Sequence, residues 1–187
     1  MKQGVARDRL LVAAIEYVAQ HGIRERSLRE IASALGTSHR MLIYHFGSKE
    51  GLLTEVVRAM ESQQRAVFDE LADDDAAPAE VARAFWRRLA HPDLWPHERL
   101  FFEMYGRAVQ GDPGAAAILD GLIDPWIEPL AASLARAGFT VEDARVHARL
   151  GLAVARGLLL DLLATGDRAA ADDAMELFIS RYDPPSP

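Results

Sequence analysis

Cysteine is absent from this 187-residue chain, which removes disulfides, thiolate nucleophiles and cysteine-based zinc or iron–sulfur sites together. No run reaches the roughly 18 uncharged apolar residues of a membrane span, and the opening MKQGVARDRL has charges where a signal peptide keeps its apolar core. A cytoplasmic protein with no membrane partner is expected. Missing too are HExxH, the nucleophile elbow, the P-loop and the dinucleotide fingerprint, and two prolines interrupt His91 to His97. No metal, cofactor or enzymatic machinery is therefore anticipated. Positive charge is in deficit overall, with a net of −7, which argues against coating nucleic acid through bulk electrostatics.

The distribution of that charge says more. Residues 1–58 hold nine Lys and Arg against six Asp and Glu, a balance of +3, and the remainder holds twelve against twenty-two, a balance of −10. A small nucleic-acid-reading head on an acidic body would have this pattern. Half of the residues are apolar, enough for a proper core.

Between Ser27 and Phe46 the chain reads SLREIASALGTSHRMLIYHF. Ser27 followed three residues later by Glu30 is a capping box, so a helix should begin there. Leu28, Ile31, Ala32 and Leu35 share one face, and Gly36 stands where a left-handed residue ends a helix. Thr37 or Ser38 can cap a second, short helix after a brief turn. Together these are a helix-turn-helix.

Elsewhere the spacing predicts a first helix through Leu10 to Ala19, closed by His21-Gly22, and a fourth from Ser48 as N-cap to about Leu71. Asp73-Asp74-Asp75 and Pro78 mark a loop. Helices are expected over Val81–Ala90, His97–Gln110, Ala115–Ala137 with Pro125 and Pro129 kinking or splitting it, Val141–Ala164 and Arg168–Tyr182. With no strand-like alternation, the fold class is all-α. Residues 1–50 form the helix-turn-helix head, 51–182 a helical body, and 183–187 a disordered tail.

The stretch IASALGTSHRMLIYHFGSKEGLL behind an amphipathic first helix resembles the tetracycline-repressor (TetR) family of bacterial transcriptional regulators. Ile31-Ala32, Gly36, Ser38, Leu42, Tyr44-His45-Phe46, Ser48-Lys49-Glu50 and Leu52-Leu53 carry the resemblance. It implies a DNA-binding repressor whose body binds a ligand and dimerises, with phosphate contacts from Tyr44, His45 and Lys49. Arg40, Met41 and Ile43 stand where such proteins often have glycine or proline, a small residue and an aromatic.

Arg40, near the exposed start of the third helix, is placed for a bidentate bond to guanine or for phosphate. His39 can reach a base or phosphate at the same end. Tyr44, His45 and Lys49 offer phosphate donors that set register, and Ser27, Thr37 and Ser38 can cap, donate to phosphate, or both. Lys2, Arg7 and Arg9 make a basic arm, read first as a solvated tail. In the body, Trp86, Trp95, Phe101, Phe102, Tyr105 and Trp126 are candidate lining for a mostly apolar effector, with Glu103, Arg107 or His147 as polar anchors; ordinary core is the alternative for each. The Leu150–Leu163 segment is apolar all round, so another face must be covered. A homodimer through the last two long helices would cover it, Gly151 and Gly157 permitting close approach. Two other readings stand beside the regulator: a helical enzyme or small-molecule carrier containing a helix-turn-helix-like pair, and a module binding an acidic protein through the basic face.

Overall fold

In the computed structural model, residues 2–22, 26–72 and 76–183 are described, and among them every regular element is helical. Nine α-helices follow in order among the described residues: α1 Lys2–His21, α2 Leu28–Ala34, α3 His39–Phe46, α4 Lys49–Leu71, α5 Pro78–Leu89, α6 Trp95–Val109, α7 Asp124–Arg136, α8 Val141–Thr165 and α9 Arg168–Ile179. Short 3-10 turns occupy Pro92–Leu94, Ala116–Leu119 and Ser180–Tyr182. The aspartate run 73–75 and the tail beyond Asp183 lie outside the described residues.

Packing divides the chain into two units. The first joins residues 1–62 with 93–120, and the second joins 63–92 with 121–187. The expected boundary at residue 50 therefore falls inside the first unit. Its helices are tied in across that point: Arg7 of α1 pairs with Glu55 of α4, Arg58 of α4 donates to the Ala117 carbonyl at 2.5 Å, and Arg107 of α6 lies 3.5 Å from Glu50. Ala14, Val18, Ile31, Leu42, Leu52 and Val56 supply fully buried core to this unit.

The second unit is centred on rings. Phe68, Phe85 and Trp126 meet with centroids 5.4 to 6.4 Å apart, and Arg65 lies 5.7 Å over the Trp126 ring. A second cluster, Ile127, Ala131, Leu134, Ala144 and Ala148, joins α7 to α8.

The helix expected over Ala115–Ala137 is two pieces, with the break at 120–123, ahead of both prolines. Pro125 then sits in the first turn of α7, where its missing N–H costs nothing, and Pro129 is accommodated inside the helix. The final expected helix stops at Ile179 and tightens into a 3-10 turn through Tyr182. Asp183, placed in the expected tail, is held by Arg83 through bonds of 2.8 and 2.7 Å.

Candidate nucleic-acid interface

The capping box at the start of α2 is complete. Glu30 N donates to Ser27 Oγ at 3.3 Å and Ser27 N to Glu30 Oε2 at 2.7 Å, satisfying two otherwise orphaned donors. Those Ser27 bonds hold the Glu30 carboxyl below its ordinary range, helped by Arg26 and Lys49. At the other end Thr37 N reaches the Ala32 carbonyl at 2.9 Å and Gly36 N the Ser33 carbonyl at 3.1 Å. Gly36, at φ 63°, is what allows this Schellman turn. Ser38 Oγ then accepts from Met41 N at 3.2 Å and starts α3. Ser38 is thus the cap, and the Thr37 side chain is left out of it.

Leu42 and Phe46, one turn apart, are the buried residues of α3. His39, Arg40, Met41, Ile43 and Tyr44 are exposed, with Tyr44 at 61%. A helix anchored by two apolar residues therefore presents an imidazole, a guanidinium, a phenol and two apolar groups on its open side. Those are the chemical types that read base edges, thymine methyls and phosphates in a major groove. Ser27 and Ser38 are exposed nearby, and Thr37 and Lys49 are half-buried.

His45 departs from the expectation. Its Nε2 is buried with no hydrogen-bond partner, and its ring lies 5.0 Å from Tyr44 and 6.2 Å from Phe46. With that nitrogen facing inward, a phosphate contact from His45 would fall to its other ring nitrogen, Nδ1. Arg7 departs as well: it pairs with Glu55 and its guanidinium lies 5.4 Å over the Phe46 ring, so it braces α1 against α3 and α4. Arg9 stays exposed; the Lys2 side chain lies outside those described.

One residue that sequence reasoning missed is Gly51. A Cβ there would fall 2.1 Å from the Phe46 carbonyl oxygen, so the first turn of α4 packs directly against the end of α3. The only signal was a glycine inside an otherwise helical stretch, GSKEGLL, which periodicity alone passes over. Ser48 Oγ caps this helix, accepting from Gly51 N at 2.9 Å.

The six body aromatics are split between the units. Trp95, Phe101, Phe102 and Tyr105 belong to the first, where Phe101 lies 5.1 Å from Phe102 and 5.7 Å from Tyr105, and Arg99 lies 5.6 Å over Trp95. Trp86 and Trp126 are buried in the second. The Trp86 indole donates to Asp172 at 2.6 Å, tying α5 to α9. Of the polar anchors, Arg107 is engaged with Asp112 and Glu50, and the first of these raises the guanidinium above its usual value.

Capped pair, glycine turn and anchored recognition helix define a helix-turn-helix DNA-binding protein. Residues 10–56 match the family model described as bacterial regulatory proteins, tetR family. In sequence the chain is similar to the HTH-type transcriptional repressor NicS of Pseudomonas putida, 28% identical over 155 residues, or 79% of this chain and 72% of that one. In fold the chain is similar to a transcriptional regulator from Rhodococcus sp. RHA1, with a TM-score of 0.75, 23% identity, and 94% and 95% of the two chains covered. It is also similar to Thermus thermophilus FadR, a TetR-family repressor solved with lauroyl-CoA, with a TM-score of 0.65, 22% identity, and 97% and 98% covered. Residues 10–56 thus carry a TetR-family helix-turn-helix domain, and over nearly its whole length the chain shares its fold with these regulators.

Proposed function

We propose that this regulator acts in the cytoplasm as a homodimer whose two α3 helices enter successive major grooves of a near-palindromic operator. Half-sites would then lie about one helical turn, roughly 34–36 Å, apart. The observation that carries the reading is the open side of α3: His39, Arg40 and Tyr44 exposed over a buried Leu42 and Phe46. Arg40 reads a base, while Tyr44, Lys49 and the hydroxyls of Ser27, Thr37 and Ser38 fix register on phosphates.

The dimer reading is supported by α8. Val146, Leu150, Ala153, Gly157, Leu160 and Ala164 are all exposed, and their alternating spacing of four and three residues makes one stripe along the helix. On α9, Ala170, Ala174 and Leu177 are exposed at the same rhythm. Two copies of such a pair bury their stripes as a four-helix contact. A mostly apolar effector bound in the body would release the operator by preferring the dimer state that fits DNA less well. A coupling of about 1–3 kcal/mol suffices.

Selection of duplexes from a random pool tests the proposal. A recovered inverted repeat, footprinted as two half-sites and bound with a steep salt dependence, is expected. Recovery of no sequence, with weak binding indifferent to salt, would return the head to the reading of a protein-binding module.

A further inference from the structure

Between α5, α7, α8 and α9 the second unit contains a partly enclosed pocket of about 80 Å³. None of the six aromatics expected to hold an effector lines it. Its walls are Phe68 from α4, Leu130 and Leu134 from α7, and Phe178 from α9, and its space exists because Ala82 on α5 and Gly151 on α8 are small. A Cβ on Gly151 would stand 3.9 Å from the Phe178 ring, ordinary contact distance, so nothing forces glycine there on packing grounds.

Polarity is sparse. No Lys, Arg, Asp or Glu lines the pocket; its polar side chains are Ser133, His147 and Tyr182. His147 Nδ1 and the Tyr182 hydroxyl lie 2.8 Å apart, within hydrogen-bond distance. The His147 and Tyr182 rings meet edge-on at 5.5 Å, and the Phe178 ring lies tilted against Tyr182 at 5.4 Å. Burial raises the Tyr182 phenol above its ordinary value, so it stays a neutral hydroxyl.

We propose that this pocket binds a small, uncharged, single-ring aromatic molecule carrying one hydroxyl, which seats its ring between Phe178 and Leu134 and its hydroxyl at the His147–Tyr182 pair. Size and charge both argue for this class. Drug-sized ligands fill pockets of about 300–1,000 Å³ and an apolar cavity on the order of 150 Å³ takes benzene, so a partly enclosed space of about 80 Å³ takes at most one ring, which extends through its open side. An ionised ligand would lose its hydration with no opposite charge to meet it. Use of the pocket as the effector site rests on the regulatory function proposed above; the binding itself does not.

Titration calorimetry on the full chain with phenol, toluene and sodium benzoate at about pH 8 separates these. Phenol is expected to bind saturably at roughly 10 μM to 1 mM, with toluene about 5- to 10-fold weaker for want of the hydrogen bond and benzoate weaker still. Ala82→Leu, which fills the space, should weaken phenol at least about 10-fold. If that variant loses its helical circular dichroism, Gly151→Leu fills the same space from α8. His147→Phe should erase the preference for phenol over toluene while retaining toluene; a merely structural histidine would lower both equally. Absence of saturable phenol binding, benzoate binding as tight as phenol, or affinity unchanged in the filled variants overturns the proposal. Gel shift on the selected operator is read alongside. Phenol binding that leaves DNA affinity unaltered supports the pocket and overturns its use as the effector site. Phenol binding by a chain that binds no duplex supports the pocket and overturns the DNA-binding reading instead.

Discussion

At the residue scale, two side chains of the head behave in opposite ways although they stand five residues apart. Arg40 is exposed on the open side of α3, and His45 has its Nε2 buried. Sequence makes both plausible DNA contacts, since each is a polar residue on a short helix. Only the direction in which the helix faces separates them. Arg40→Ala should lose about 1–3 kcal/mol of discrimination between the selected operator and random duplex. Fluorescence anisotropy on both DNAs checks this, and equal weakening on the two would assign Arg40 to phosphate. Gly51 offers a sharper case. Replacing a helical glycine by alanine ordinarily stabilises by about 1 kcal/mol. Here the new Cβ would lie 2.1 Å from the Phe46 carbonyl, so strain outweighs propensity. Gly51→Ala should lower stability by about 1–3 kcal/mol in urea unfolding, with operator affinity falling because α3 is displaced.

Individual elements were legible where local chemistry ends them. The capping box at Ser27, the glycine turn at Gly36 and the Ser48 cap of α4 all stand at the positions the sequence indicates, because caps and turns are made by near neighbours. The break at 120–123 was misplaced onto the prolines. Gly121, at φ 74°, is where the backbone turns instead. What locks α5 to the end of α9 was not legible at all. Arg83 donates to Glu176 at 2.6 Å and to Asp183 at 2.7 Å, partners some hundred residues away. Those bonds hold both carboxyls below their ordinary range and push the guanidinium up. A carboxylate with a depressed folded-state value contributes stability above its unfolded value, about 4, and loses it as pH falls through the folded one. Thermal melts from about pH 7 downward should therefore show a loss below about pH 4 that is smaller in Arg83→Met. Because the clamp is exposed, salt should shrink the difference.

For the molecule as a whole, the decisive question is what covers α8. Leu160 is 52% exposed and Leu177 68% exposed, so a charge at either place is tolerated by the single chain and opposed by a two-fold partner. Leu160→Glu is expected to keep its helical spectrum and to elute as a monomer. Operator affinity should drop by about 10²–10⁴-fold, the gain that linking two heads provides. Persistence of the dimer would move the interface elsewhere. The sequence alone determined the helical class, the first four helices and the helix-turn-helix segment, since periodicity, caps and turns act over a few residues. It also placed the apolar excess on α8. Tertiary structure decided the rest: that residues 93–120 pack with the head, that the body aromatics separate into two units, and that small residues on α5 and α8 leave a pocket at His147 and Tyr182. Those outcomes depend on which helices become neighbours across a hundred residues of chain, and no local pattern encodes that choice.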